Sequence, residues 1–101
     1  MAAIVVAVED RTQASVLRRI LESDGHRVSV AHSGRAALDR ARRAADLLVL
    51  DVALPRDVLL TVRRESALPV LMVSARADED DEIISLGLGA DDFLVTPVSP
   101  R

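Results

Sequence analysis

Leu47-Leu48-Val49-Leu50 constrains this chain more than any other stretch: four apolar residues without alternation, closed by the carboxylate of Asp51. A strand with one face in water alternates apolar and polar side chains, whereas an unbroken apolar run is buried on both faces of its sheet. Ile4-Val5-Val6-Ala7-Val8 and Val70-Leu71-Met72-Val73 follow the same rule. Strands buried on both sides need cover on both sides, and a parallel sheet with helical crossovers supplies it.

The segments between these runs have the required helical spacing. Thr12 is the expected N-cap of a first helix that turns Ala14, Leu17, Ile20 and Leu21 inward and stops at Gly25. Val28 to Ala31 is shorter and partly alternating, as on a sheet edge. Ser33-Gly34 opens a second helix with Ala37, Leu38, Ala41 and Ala44 inward and Arg40, Arg42 and Arg43 in water. A third helix over Asp57 to Glu65 turns Val58, Leu59 and Val62 inward, and a fourth spans Asp78 to Leu88. Phe93-Leu94-Val95-Thr96 is the last strand, stopped by Pro97. The expected fold is one α/β domain over residues 1–101, a doubly wound five-stranded parallel sheet in the flavodoxin-like order 2-1-3-4-5.

That order sets the ends of the first and third strands side by side, so Glu9, Asp10 and Asp51 share one rim. Three carboxylates in one crevice repel one another unless a cation joins them, and an all-oxygen donor set suits a hard ion such as Mg²⁺. An aspartate beside such an ion can attack phosphorus and form an acyl phosphate. Ser74, ending the fourth strand, would add a hydroxyl. Plainer roles stand beside these: an isolated Asp often starts a turn, and an isolated Ser often caps one.

Composition removes other classes. A net charge of −3 and a single aromatic residue, Phe93, argue against direct nucleic-acid binding. The absence of cysteine excludes disulfides and thiolate metal sites. No apolar run is long enough to span a bilayer, and the N-terminus lacks the regions of a signal peptide, so a cytoplasmic location is expected. The acids of Asp78-Glu79-Asp80-Asp81-Glu82 lack an EF-hand arrangement and suit a helix N-terminus. His26 and His32 are expected on the surface. A phosphatase-type nucleophile would want a second Asp two residues after Asp51, where the chain has Ala53.

Four segments taken together carry a resemblance: Val8-Glu9-Asp10, Leu50-Asp51 with Leu54-Pro55, Val73-Ser74-Ala75-Arg76, and Gly89-Ala90-Asp91-Asp92-Phe93 leading to Pro97. The chain resembles the CheY-like receiver domain of bacterial two-component response regulators, most closely the subclass fused to winged-helix transcription factors. The resemblance implies that Asp51 accepts a phosphoryl group from a sensor histidine kinase. It implies Mg²⁺ held by Glu9, Asp10, Asp51 and the Ala53 backbone carbonyl, with Ser74 turning toward the phosphoryl group. Phe93 takes the aromatic switch position. On this reading the domain is a signalling phosphoacceptor, with no enzyme activity beyond its own phosphorylation and dephosphorylation.

Three departures from the family pattern bear on that expectation. Thr96 stands where the family has a lysine, and all 13 basic residues of the chain are arginine. Arg56 and Arg76 are the nearest replacements, although a planar guanidinium is not a compact ammonium. The segment after Pro55 is clipped, which threatens the Ala53 carbonyl's place in the metal site. A fifth helix is expected to be missing, so the face it would cover should meet a second copy or another chain. These departures support an alternative: a degenerate receiver acting by protein contact and dimerisation, without phosphorylation.

Overall fold

The computed structural model describes residues 1–76 and 78–96. Elements alternate strictly along the chain: β1 (Ala3–Ala7), α1 (Arg11–Ser23), β2 (Arg27–Ala31), α2 (Gly34–Ala41), β3 (Leu47–Asp51), α3 (Arg56–Glu65), β4 (Val70–Ser74), α4 (Glu79–Gly87) and β5 (Asp92–Val95). The strands form one parallel sheet in the order β2-β1-β3-β4-β5. Both the fold class and the strand order are those read from the apolar runs.

Residues in register point to the same side of the sheet, so the core splits into two layers. Val5, Ala7, Leu48, Leu50, Val70 and Met72 lie under Ala37 of α2 and Val58, Leu59 and Val62 of α3. Ile4, Val6, Val8, Val49 and Val73 lie on the other side, under Ala14, Leu17 and Leu21 of α1. Leu48, Leu50, Val6 and Val73 are essentially inaccessible. Each such side chain contributes about 1.5–3 kcal/mol of burial, which is why continuous apolar runs were needed.

Four local expectations are corrected. Thr12 does not cap α1: the Asp10 side chain accepts from the amides of Thr12 at 2.8 Å and Gln13 at 3.2 Å, so the helix starts directly off the rim. Ile20 is 56% exposed, because it sits roughly 100° around the helix from Leu21 and flanks the buried stripe. Ala44 lies past the end of α2 and is exposed, so it has no place in a helical stripe. His26 and His32 are half-buried and tied to the backbone: His26 Nδ1 accepts from the Ala2 amide at 3.1 Å, and His32 Nδ1 meets the Val8 carbonyl at 3.0 Å.

The two layers are unequally covered. Among the described residues α1 is the only helix packed on its face. Leu94, in register with Val73 on that face, is 51% exposed. The expectation of a missing fifth helix concerns residues 97–101, which lie outside the described residues.

The N-terminal edge of the sheet is fastened by Arg63. Its Nε donates to the Gly89 carbonyl at 2.9 Å, Nη1 to the Leu68 carbonyl at 3.0 Å, and Nη2 to Asp91 Oδ2 at 3.3 Å. Asp91 Oδ2 also accepts from the Val70 amide at 2.8 Å. Gly89 has φ +113°, and a Cβ there would stand 2.9 Å from Arg63 Cγ, so backbone conformation and space both select glycine. On the outside, Arg42, at the C-cap of α2, donates twice to Glu65 of α3, at 2.9 and 2.7 Å.

Candidate functional site

The C-terminal ends of β1, β3 and β4 open into one cavity of about 420 Å³. Glu9, Asp10, Asp51, Ala53 and Ser74 all line it. This is the crevice at the topological switch point, where open α/β sheets bind ligands. The adjacency of β1 and β3 carries Glu9 and Asp51 there, and the sharp start of α1 carries Asp10.

Asp51 is the last residue of β3 and only 8% exposed. Its Oδ1 accepts from the Ala53 amide at 3.0 Å and its Oδ2 from the Glu9 amide at 3.2 Å. An ionised carboxylate offers about four lone-pair positions. Two are thus fixed by backbone, which orients the group and leaves the remainder for the cavity. The turn after it is short: Leu54 is buried and its amide donates to the Asp51 carbonyl at 3.1 Å, and α3 begins at Arg56, straight after Pro55. The clipped segment therefore closes as one tight turn, with Ala53 still on the cavity wall.

The three acids share the cavity without forming a cage. Asp10 Oδ1 is engaged as the cap of α1, Glu9 is exposed, and among the described residues no three acidic side chains gather around a common point. Mg²⁺ is ordinarily bound by one or two carboxylates with several waters retained, so the donor set fits that ion in kind and in number.

Ser74 is 3% exposed, and its hydroxyl is turned to its own loop rather than to Asp51. It donates to the Arg76 carbonyl at 2.8 Å and accepts from the Arg76 amide at 3.1 Å. Thr96, just past β5, is buried beside it. Phe93 stands in register with Met72, half-buried against the layer under α2 and α3, away from the cavity wall.

Two cavity residues went unnoticed in the sequence. Gln13 is only 7% exposed, one turn into α1, and Asp81 reaches the cavity from α4. Asp81 was hidden in an acidic run whose other members do serve the helix end: Asp78 caps α4, accepting from the Asp80 amide at 2.9 Å and the Asp81 amide at 3.2 Å. The spacing of Asp78 and Asp81, one turn apart, was the only available signal. The two candidate cations are separated by the structure. Arg76 lines the Asp51 cavity, whereas Arg56 lines a smaller pocket against α4 with Leu59 and Ile84.

Known proteins share this fold and much of this sequence. The family model described as the response regulator receiver domain matches residues 4–101. The transcriptional regulatory protein CpxR of Escherichia coli (strain K12) is 41% identical over 102 residues, covering 97% of this chain and 44% of that protein. The sensory transduction protein RegX3 of Mycobacterium tuberculosis (strain ATCC 25618 / H37Rv) is 37% identical over 106 residues, covering 100% of this chain and 47% of that protein. The chain thus spans less than half the length of these relatives. Among solved structures, a putative response regulator from Chloroflexus aurantiacus J-10-fl superposes with a TM-score of 0.89 at 31% identity, covering 98% of this chain and 88% of that one.

Proposed function

The chain belongs to the receiver domains of two-component response regulators, and on that premise we propose that Asp51 is its phosphoacceptor. A carboxylate oxygen of Asp51 attacks the phosphorus of a sensor kinase's phosphohistidine. The new O–P bond makes an acyl phosphate as the N–P bond breaks and the imidazole leaves with the electron pair. The observation that carries this reading is the buried Asp51 carboxylate, held by the Glu9 and Ala53 amides at the mouth of the cavity. Fixed orientation is what an attacking group needs, since positioning supplies much of a phosphoryl-transfer rate.

Glu9, Asp10, Asp51 and the Ala53 carbonyl would hold Mg²⁺. The ion would offset charge on the phosphoryl oxygens. Ser74 supplies a hydroxyl donor once it leaves the Arg76 backbone, and Phe93 is the aromatic element that reads the change. The contact module without phosphorylation is the weaker reading, because it gives the oriented Asp51 carboxylate no task. We place the domain in the cytoplasm, with a sensor histidine kinase as partner and no direct contact with nucleic acid. The open face around Leu94 is the surface for a second copy or another chain.

Intact mass after incubation with a small-molecule phosphodonor and Mg²⁺ tests the proposal. One acid-stable, base-labile phosphoryl addition is expected, absent in Asp51→Ala. A folded wild-type protein that gains no mass, even from a cognate kinase, would overturn it in favour of the contact module.

A further inference from the structure

We infer that Arg76 is the cation that meets the phosphoryl group on Asp51, and that the Ser74 hydroxyl holds it back until that group arrives. The inference rests on Asp51 as the acceptor.

Charge makes the first part of the case. Glu9, Asp10, Asp51 and Asp81 line the cavity, and phosphorylation adds close to two further negative charges there. The chain has no lysine, and among the described residues Arg76 is the one basic side chain lining this cavity. It is exposed, and its guanidinium has no ion-pair partner among the described residues. Its guanidinium therefore gives up no ion pair by turning to the phosphoryl group. Its planar fork can take two phosphoryl oxygens at once.

Hydrogen bonding makes the second part. The Ser74 hydroxyl both donates to the Arg76 carbonyl and accepts from the Arg76 amide, so one small side chain fixes the backbone on which the guanidinium is carried. A phosphoryl oxygen is a stronger acceptor than a peptide carbonyl. When the Ser74 hydroxyl turns to it, both ties to Arg76 are lost together. The segment that carries the cation is then released by the group that needs it. Thr96 cannot take this role: its hydroxyl is buried against the Ser74 carbonyl and carries no charge.

Time courses of phosphoryl addition, read by intact mass with a small-molecule phosphodonor and Mg²⁺, test this on wild type, Arg76→Gln, Arg76→Lys and Arg56→Gln. Arg76→Gln should slow addition about tenfold, the size of one charge-assisted hydrogen bond. Arg76→Lys should recover part of the loss, and Arg56→Gln should match wild type. In a second readout, the Arg76 amide should lose hydrogen-exchange protection on phosphorylation. Equal rates for wild type and Arg76→Gln, or an unchanged Arg76 amide in the phosphorylated protein, would overturn the inference while leaving Asp51 as acceptor. A wild type that gains no mass would overturn both.

Discussion

Thr96 closes the end of β5 onto β4 through a single oxygen, the carbonyl of Ser74, which accepts the Thr96 amide at 2.8 Å and the Thr96 hydroxyl at 3.4 Å. Thr96 is thus a buried brace for Ser74, whose hydroxyl bonds the Arg76 backbone. The amide bond does not depend on the side chain, and the hydroxyl bond is long. Thr96→Val should therefore cost under about 1 kcal/mol, measured by urea denaturation, and should leave phosphoryl addition unaffected.

Thr96→Lys is the more informative change. Placing an ammonium at a site 5% exposed should lower stability by about 1–3 kcal/mol. In the Arg76→Gln background the same substitution should restore much of the lost phosphorylation rate. Additive losses in the double variant would show that the two positions do not serve the same charge.

Gly89→Ala should destabilise by more than about 1 kcal/mol, because alanine does not accept the positive φ and its Cβ would press on Arg63 Cγ. Arg63→Ala removes the clash but also the bonds to the Gly89 and Leu68 carbonyls. A double-mutant cycle in denaturant should show coupling between the two sites, and independent, additive losses would refute the contact.

Acid should weaken the link between α2 and α3. The hydrogen bond from Arg42, with its nearby charge, holds the Glu65 carboxyl below its ordinary value of 4.5, and the same bond raises the Arg42 guanidinium. A carboxyl depressed in the folded state stabilises at neutral pH, and that contribution fades as pH falls from about the ordinary value through the lowered one. Both groups are exposed, so salt should shrink the effect. Denaturation midpoints between neutral and acid pH should show a component that Glu65→Gln removes.

Self-association is expected through the thinly covered face. Sedimentation over a range of concentrations should show a mass that rises with concentration in wild type and less in Leu94→Ser. A wild-type mass that stays at one chain throughout would remove this face as a self-contact.

The sheet was legible because its strands are buried on both sides, which leaves continuous apolar runs that no other arrangement of so short a chain explains. The rim was legible for a related reason: each run ends on a residue that lines the cavity, Glu9, Asp51 and Ser74. What stayed hidden depended on side-chain direction. Asp10 and Thr12 are both good caps, and only the geometry of the first turn chooses Asp10. Ile20 obeys helical spacing yet flanks the stripe. Gln13 sits on a helix whose sequence carries no mark of the rim it faces, and Asp81 is marked only by its one-turn spacing from Asp78. Arg56 and Arg76 were equal in the sequence and lie on different cavities in the fold.

The Arg63 clip joins the end of α3, the start of β4 and the approach to β5, all at the edge of the sheet opposite Asp51. An element fastened at one end does not translate when pushed at the other. A shift of the β4 and β5 tips set off at Asp51 must therefore resolve into a tilt about Arg63. The α4 face runs from the rim at Asp78 to the pinned edge at Gly89, so a displacement of the rim would carry Asp78 further than Gly89.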